Sequence, residues 1–335
     1  MRVLMRRLTV GFIGCGGIAE AHAKSLSNIK NVEFKAFSDI VRARAESFAS
    51  TYGGEVYEDW RKMLEKAKLD IVFICLPPFA HSDEVMVAAE NGVNIYIEKP
   101  IALDIKLARE MAKAVEKHGV KSQVGYQSRF GAGVEKAKSL IESNSLGSIG
   151  LASGKYWCRF IRKDWWIDKS KSGGQIVEQS THLYDILIWL CGDVKRVYAE
   201  MDRLLYKDVE GMTIEDVSGV VLRFSSGAVG VVTATIGASP YTWGLKWSIV
   251  GWDAMLESEN PNQLTIHWST KTPFKIEEFN EPFRDTMKLA ELDLINAILE
   301  DRTTRTPISE GVKTLEVTLA AVKSAEEGRP ITLPL

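Results

Sequence analysis

The sequence predicts an α/β domain built on a doubly wound parallel sheet, followed by an α+β domain with a predominantly antiparallel sheet. Three observations predict this organisation. The chain has 335 residues, which is enough for about two domains. Over residues 1–126, short apolar runs alternate with longer amphipathic stretches, whereas strand-like runs follow one another in residues 127–335. We therefore expect one domain in each of these two ranges.

Short runs rich in β-branched and aromatic residues predict the strands of the first domain. They are Leu8–Ile13, Val32–Phe37, Ile71–Cys75, Val93–Ile97 and Ser122–Tyr126. Amphipathic stretches between them predict helices, at Ile18–Leu26, Arg42–Ser50, Asp83–Asn91 and Ile105–His118. Gly92 and Gly119 follow the last two helices, and glycine is the usual residue just past a helix C-terminus. The alternation of strands and helices predicts parallel pairing.

In the second domain, strands come as consecutive neighbours. Val217–Phe224 and Ala228–Ile236 are joined by Ser225-Ser226-Gly227, which predicts an antiparallel hairpin. Further strands are expected at Ser153–Phe160, Arg196–Met201, Trp243–Val250 and Leu264–Trp268, and helices at Val134–Ser143, Gln179–Leu190, Phe283–Leu299 and Glu310–Ala325. Consecutive antiparallel strands with helices on one face describe an α+β domain.

Composition and charge narrow the class of protein. The 42 basic and 44 acidic residues leave a formal net charge of −2 without long single-sign blocks, so no nucleic-acid or membrane partner is expected. The first residues, Met1–Arg7, are expected to be a ragged end, because Met5 could equally start translation. The apolar stretch after them is too short for a signal sequence or membrane span. The four cysteines lack metal-ligand spacing, so we expect no metal and favour a reduced, cytoplasmic protein.

The segment Gly14-Cys15-Gly16-Gly17-Ile18-Ala19 lies between the first strand and the first helix. Its order, G-x-G-x-x-A, is typical of dinucleotide-binding turns: Gly14 makes the tight turn, Gly16 lets the backbone approach a pyrophosphate, and Ala19 permits close helix–strand packing. The helix N-terminus offers N–H groups and a partial positive charge to phosphates. Because glycine turns after strands are common, the loop alone leaves a purely structural turn open.

Asp39 follows the second strand, where a carboxylate would meet the adenosine ribose hydroxyls. It favours NAD over NADP because its charge repels a 2′-phosphate, although Arg42 and Arg44 are close enough in sequence to weaken that preference. The alternative role for Asp39 is the N-cap of the next helix, and the two roles are compatible.

Two further motifs follow strands of the first domain, at the sheet edge where open α/β sheets gather ligands. Leu76-Pro77-Pro78 enforces an extended loop that leads to His81, for which a capping or packing role is as well supported as cofactor contact. Glu98-Lys99-Pro100 follows the next strand, and a lysine there is a candidate to exchange a proton with a substrate hydroxyl. A solvated surface lysine is the alternative.

With Gly125-Tyr126-Gln127-Ser128-Arg129-Phe130, Gly173-Gly174, Glu178 and His182-Leu183-Tyr184-Asp185, these motifs form an ordered set. The set resembles the Gfo/Idh/MocA family, named for glucose–fructose oxidoreductase and inositol dehydrogenase, over nearly the whole chain. The resemblance implies a Rossmann domain that binds a nicotinamide dinucleotide, a second sheet domain, and an active site between them. The cofactor contacts expected from the motifs are Gly14, Cys15, Gly16, Gly17, Ile18, Asp39, Leu76, Pro77, His81, Glu98, Lys99 and Gln127.

The catalytic set usual in that family is the lysine of the Glu-Lys-Pro motif, a histidine, and an aspartate four residues before the histidine. By motif position these are Lys99, His182 and Glu178, so glutamate stands here in place of the commoner aspartate. Oxidation of a secondary alcohol sends a hydride to the cofactor and releases a proton, which Lys99 and His182 are suited to exchange. Glu178 is expected to orient His182 if the segment is helical. The alternative is a capping glutamate and a packing histidine.

Aromatic and basic residues precede Glu178, in the order Tyr156-Trp157, Arg159, Arg162-Lys163-Asp164 and Trp165-Trp166. Aromatic faces beside hydrogen-bonding groups suit sugar rings, although tryptophans more often fill a core. We predict a carbohydrate, polyol or related hydroxylated substrate. The predicted substrate contacts are Lys99, Arg129, Arg159, Trp166, Glu178 and His182.

The expected function is hydride transfer between NAD, or NADP, and a CH–OH group of such a substrate, with Lys99 and His182 in proton transfer. Two alternatives stay open: a redox-neutral NAD-dependent enzyme similar to a few glycosidases, and a non-catalytic NAD(H)-binding sensor. The resemblance also implies a homodimer or homotetramer, formed through the C-terminal sheet.

Overall fold

The computed structural model describes residues 6–161 and 164–335. They divide into two compact units: the first runs to Gly125 and includes Met287–Val312, and the second comprises Tyr126–Thr286 and Lys313–Leu335. Met1–Met5, most of the segment for which a ragged end is expected, lie outside the described residues. So do Arg162 and Lys163, two cations of the aromatic and basic run.

A parallel sheet forms the centre of the first unit. Its six described strands are β1 (Leu8–Ile13), β2 (Val32–Ser38), β3 (Glu55–Tyr57), β4 (Ile71–Ile74), β5 (Asn94–Ile97) and β6 (Ser122–Val124). They lie in the order β3-β2-β1-β4-β5-β6, and every neighbouring pair is parallel. The predicted doubly wound sheet is confirmed. The strand order reverses between β1 and β4, which is the point where such sheets bind ligands.

Five helices of the described chain connect these strands, namely α1 (Gly17–Leu26), α2 (Arg42–Tyr52), α3 (Trp60–Lys66), α4 (Glu84–Glu90) and α5 (Ile105–His118). The sequence specifies α5 at both ends. The Asp104 carboxylate accepts the Lys106 N–H at 2.6 Å, and Gly119 takes a left-handed conformation with φ of +67°. The sequence analysis did not identify β3 and α3, which are both short.

A nine-stranded mixed sheet, counted over the described residues, forms the second unit. Its strands are β7 (Ile149–Cys158), β8 (Val194–Asp202), β9 (Val217–Phe224), β10 (Val229–Thr235), β11 (Trp243–Gly251), β12 (Ala254–Ser258), β13 (Gln263–Trp268), β14 (Lys275–Asn280) and β15 (Ile331–Thr332). The order is β14-β13-β12-β11-β7-β10-β9-β8-β15. Pairing is antiparallel except between β7 and β10. The predicted hairpin of β9 and β10 is confirmed.

One face of this sheet is apolar and covered by helices, with side chains such as Val220, Leu222 and Val232 in the core. The helices of this part of the chain are α6 (Ala132–Glu142), α7 (Lys169–Ser172), α8 (Gln175–Glu178) and α9 (Thr181–Cys191). The other face is open within one chain. Side chains exposed there include Leu151, Trp157, Tyr198, Val221, Val231 and Val250.

The chain ends with α10 (Thr286–Glu300) and α11 (Ile308–Glu327) before β15. Most of α10 and the start of α11 belong to the first unit. Thr306, in the segment that joins α10 to α11, pairs with the end of β6. The Val124 N–H donates to the Thr306 carbonyl at 2.8 Å, and the Thr306 hydroxyl donates to the Val124 carbonyl at 2.8 Å. The predicted division at residue 126 omits this returning segment, because contacts between residues 182 positions apart leave no local pattern in the sequence.

Candidate active site

The glycine loop joins β1 to α1 at the point where the strand order reverses. Gly14 has a φ of +86°, and a Cβ atom there would lie 2.5 Å from the Cys75 carbonyl oxygen. Its own N–H donates to the Ser38 carbonyl at 2.8 Å. Both the backbone conformation and the close approach to the end of β4 therefore require glycine at this position.

Beyond Gly14, the loop is open on the side that a phosphate would use. An added Cβ at Gly16 or Gly17 would meet no atom within 4 Å among the described residues. Gly16 is the N-cap of α1, and no side chain of the described chain caps that helix end. Free space together with helix N-terminal N–H groups fits a dinucleotide pyrophosphate.

Asp39 and Cys15 connect the glycine loop to the end of β2. One Asp39 carboxylate oxygen accepts the Cys15 N–H at 2.8 Å, and the other accepts the Val41 N–H at 2.7 Å. Burial and the Asp39 charge raise the pKa of the Cys15 thiol to about 12, so the side chain is neutral at physiological pH. Its backbone, rather than its thiol, is the polar group that contributes to this site.

Exposed apolar side chains lie close to Asp39 in sequence or on the glycine loop. They are Ile18, Ile40 and Val41. No motif marks Ile40 and Val41, although two adjacent aliphatic residues after a strand-terminal aspartate are visible in the sequence. Arg42, expected to weaken the preference for NAD, is engaged by two carboxylates: its Nε donates to Glu46 at 2.7 Å, and a terminal nitrogen contacts Glu58.

The proline loop after β4 places Leu76 and Pro77 half-buried and continues as a 3-10 turn over Pro78–Ala80. His81 is buried, and its Nδ1 lies 2.6 Å from a Glu84 carboxylate oxygen. Burial favours a higher pKa for Glu84, but hydrogen bonding and attraction to His81 outweigh it and lower the pKa. Glu84 therefore fixes the imidazole, and direct cofactor contact by His81 stays a prediction.

Glu98 and Lys99 follow β5, two strands from the glycine loop in the sheet order. Lys99 is half-buried, whereas Glu98 is buried with one carboxylate oxygen 3.1 Å from the His22 Nε2. Sequence analysis missed His22. Its position on α1 could have identified it, because the other buried residues of that helix face, Ala19, Ala23 and Leu26, are all apolar.

In the second unit, Gln127 and Arg129 lie on a 3-10 turn after Tyr126. Gln127 is half-buried, and its side-chain oxygen has no partner among the described residues. Arg129 is fully buried and forms a bidentate ion pair with Asp185, with N–O distances of 2.8 and 2.7 Å. This geometry favours a structural role for Arg129, and its predicted contact with substrate stays untested.

Glu178 ends α8 and His182 is the second residue of α9. Within residues 174–190, the side chains that are not buried are Glu178, His182 and Trp189. His182 and Trp189 lie seven residues apart on α9 and so share one helical face. The Trp166 indole N–H donates to Glu178 at 2.5 Å, so the structure brings together two of the predicted substrate contacts. Arg159 is exposed beside Gly237.

The helix predicted at Gln179–Leu190 begins instead at Thr181, after a break that separates it from α8. The Ser180 N–H donates to the Gln175 carbonyl at 3.0 Å, five residues back, and the Ser180 hydroxyl donates to the same turn. A side-chain hydroxyl that competes for helix carbonyls explains the break. The Tyr126 ring meets the His182 imidazole edge-on, with centroids 5.9 Å apart and planes at 89°.

Residues 6–161 and 164–335 contain no group of three or more His, Cys, Asp or Glu side chains placed to hold a metal ion. No helix within them combines the length and the apolar character needed to cross a membrane.

Two family models match the chain. The model described as the oxidoreductase family with an NAD-binding Rossmann fold (GFO_IDH_MocA) matches residues 8–126. The model of the family's C-terminal alpha/beta domain matches residues 138–333. Together they cover most of the chain, and they bear out the NAD cofactor expected from the glycine loop.

Comparison with individual proteins agrees with the two family models. The chain is 27% identical over 337 residues to an uncharacterized oxidoreductase, YrbE, of Bacillus subtilis, with 98% of each chain covered. It is 27% identical over 333 residues to scyllo-inositol 2-dehydrogenase (NAD(+)) of the same organism, covering 96% of this chain and 95% of that protein. Levoglucosan dehydrogenase, solved with NADH and L-sorbose, shares the fold with a TM-score of 0.91 at 22% identity, covering 98% of this chain and all of that one. This chain therefore belongs to the Gfo/Idh/MocA family of NAD-binding oxidoreductases.

Proposed function

We propose that this protein is an NAD-dependent dehydrogenase that interconverts a CH–OH group of a sugar, polyol or related substrate and the corresponding ketone. The observation that carries the proposal is the glycine loop, with Gly14 in a turn that only glycine makes easily and open space at Gly16. The substrate class is supported by relatives named for inositol and levoglucosan oxidation.

The reaction requires two separate acceptors. Bound NAD would accept the hydride from the substrate carbon. The hydroxyl proton must then pass to a side chain, and we assign this exchange to the Lys99 amine and the His182 imidazole. In the reverse direction the same groups return a proton to the oxygen of the ketone. Both side chains are half-buried, so each is accessible while largely protected from bulk water.

Glu178 is assigned to the orientation of His182 and of substrate. Its carboxylate is already held by the Trp166 indole N–H at 2.5 Å. Because that indole is buried, it fixes the glutamate, which is one methylene longer than the aspartate usual in the family. Arg159, an exposed cation in the same part of the chain, is proposed to contact the substrate.

The cofactor is proposed to be NAD rather than NADP. Asp39 presents a carboxylate fixed by the N–H groups of Cys15 and Val41, where a 2′-phosphate would meet repulsion. Arg42, which would otherwise attract that phosphate, is engaged by Glu46 and Glu58.

We also propose a homodimer or homotetramer through the open face of the nine-stranded sheet. Val221 pairs with Val231 across β9 and β10, and Leu151 pairs with Val250 across β7 and β11. All four side chains are exposed within one chain. A contiguous apolar surface of this kind suits a second copy of the same sheet. Light scattering should give at least twice the mass of one chain, and Val231→Lys should reduce it; a monomeric wild type would contradict the proposal.

The function is tested with purified protein, NAD or NADP, and a panel of polyols, aldoses, inositols and sugar acids. Absorbance of the reduced nicotinamide should rise with at least one substrate class, and faster with NAD. Absence of any rise despite measurable dinucleotide binding would contradict the dehydrogenase and leave the redox-neutral or sensor functions.

A further inference from the structure

A buried group of three charged residues lies in the first unit, beside the candidate proton-exchanging lysine. His22 on α1 is 0% exposed; its Nδ1 lies 2.7 Å from a Glu291 oxygen, and its Nε2 lies 3.1 Å from a Glu98 oxygen. A neutral imidazole donates from only one nitrogen, whereas an imidazolium donates from both. The charged form therefore donates to both carboxylates at once.

The surroundings of His22 support that charge state. Phe73 and Tyr96 pack against the ring at centroid distances of 5.4 and 4.8 Å. Burial works to lower the pKa of His22, but hydrogen bonds to Glu291 and Glu98 outweigh it and raise the pKa to about 9. The other titratable groups next to this cluster, Tyr96 and Cys75, are neutral because burial raises the pKa of both.

Each carboxylate has a second contact that fixes it. The Ser25 hydroxyl donates to the other Glu291 oxygen at 2.5 Å. The second Glu98 oxygen accepts the Lys99 backbone N–H at 3.3 Å. The Glu98 oxygen that faces His22 also packs against Gly125, where an added Cβ would lie 2.5 Å from it. Glu98 thus contacts the imidazole and Gly125 through one oxygen and the backbone of Lys99 through the other.

We propose that His22 is a positioning residue for Lys99 and acts through Glu98, with Glu291 holding His22 in place. The proposal rests on the proton-exchange role proposed for Lys99. The cluster joins three elements: α1, which follows the glycine loop, the end of β5, which carries Lys99, and α10, which returns from late in the chain. A displaced Lys99 would lower the rate of the chemical step and leave dinucleotide affinity nearly unchanged.

Two variants disturb Glu98, one through its hydrogen bond and one through steric contact. His22→Gln keeps one donor but turns an acceptor toward one of the carboxylates. Gly125→Ala leaves every hydrogen-bonding group in place and pushes the carboxylate by contact. We expect kcat to fall about 10- to 100-fold in His22→Gln and less in Gly125→Ala, with the Kd for NADH within about threefold of wild type. Gly150→Ala is the matched control, because a Cβ there meets nothing within 4 Å.

Three readouts separate positioning from a loss of general stability. In a Lys99→Ala background, His22→Gln should lower the residual rate no further, since its effect passes through Lys99. The wild-type rate should fall as pH rises through about 9, where His22 loses its proton, and His22→Gln should lack that fall. The acetylation rate of the Lys99 amine, measured by mass spectrometry against exposed Lys106, should change at least about threefold in both variants.

These readouts also separate this proposal from the proposed function. If Lys99→Ala turns over like wild type, the dehydrogenase stands but the proton-exchange role proposed for Lys99 fails, and the acetylation rate alone decides the role of His22. If Lys99→Ala is inactive while His22→Gln keeps wild-type kcat, pH profile and acetylation rate, His22 is not a positioning residue. If His22→Gln does not fold, Gly125→Ala decides: wild-type kcat and acetylation overturn the proposal.

Discussion

The two residues assigned to proton exchange are held in different ways. Lys99 follows a carboxylate that belongs to a buried charged cluster with His22 and Glu291. His182 lies on α9, where its neighbours in the chain are buried and mostly apolar and the Tyr126 ring packs edge-on against it. A buried charged cluster thus adjoins the first residue, and an aromatic ring packs against the second. Removal of one partner from a buried charged cluster leaves an uncompensated charge, whereas changes in packing act by volume.

The largest effect is expected from Lys99→Ala. Loss of the amine should lower kcat about 1,000-fold, within the range for removal of a general acid or base. Dinucleotide binding should persist, because the glycine loop and Asp39 are untouched. Steady-state rates and a fluorescence titration with NADH measure the two quantities, and Lys106→Ala serves as a control on an exposed lysine of α5. Near-normal turnover in Lys99→Ala would remove it from the mechanism.

The charged cluster also predicts how stability depends on pH. The pKa of His22 rises from 6.5 to about 9 on folding, which corresponds to about 3 kcal/mol at 1.36 kcal/mol per unit. Because the folded state holds the proton more tightly, this stabilisation is complete below about pH 6.5 and is lost as pH rises through 9. Urea unfolding at pH 6.5, 8 and 9.5 should show the decline in wild type and not in His22→Gln. Parallel curves would contradict a charged His22.

His182→Asn should lower kcat about 100-fold, since asparagine cannot exchange a proton near neutral pH. If packing sets the orientation of His182, Tyr126→Leu should lower kcat more than Tyr126→Phe. The phenylalanine keeps the ring and loses the hydrogen bonds of the Tyr126 hydroxyl with Thr181 and Thr314. Initial rates at saturating substrate compare the three variants. Equal rates in the two Tyr126 variants would show that the ring contact does not matter.

The smallest effect is expected on cofactor choice. Asp39→Asn should reduce the preference for NAD over NADP about tenfold, because the repulsive charge is lost while the shape is kept. The ratio of kcat/KM values for the two cofactors measures it. Arg42→Ala is the matched comparison and should leave the ratio unchanged, since Arg42 is engaged by Glu46 and Glu58. A larger shift in Arg42→Ala than in Asp39→Asn would reverse the assignment.

Local sequence patterns predicted most of the secondary structure of both units. The ends of β1, β9 and α5 fall at the predicted residues, because apolar periodicity and caps are properties of neighbouring positions. Short or polar elements were missed: β3 has three residues, and β14 is half charged and mostly exposed. The attachment of Met287–Val312 to the first unit depends on contacts distant in sequence, which periodicity does not report.

In the candidate site too, residues marked by local motifs were predicted, whereas contacts between residues distant in sequence were not. Glycine, proline and lysine motifs after strands are local, so the sequence indicated the glycine loop, the proline loop and Lys99. The pairing of His22 with Glu291 joins residues 269 positions apart, and no motif signals it. Arg129 illustrates the opposite case: its place in a motif suggested substrate contact, whereas the structure buries it against Asp185. A sequence gives the type of a charged residue, but only the fold gives its partner.

Isotope transfer tests the central claim, net hydride transfer to NAD, most directly. The protein is incubated with NAD and an active polyol deuterated at the carbon that is oxidised, and the released nicotinamide is examined by mass spectrometry. The account predicts free NADH one mass unit heavier than with unlabelled substrate, in amounts that exceed the enzyme concentration. Reduced nicotinamide that never leaves the protein, or product formed without deuterium in NADH, would contradict it.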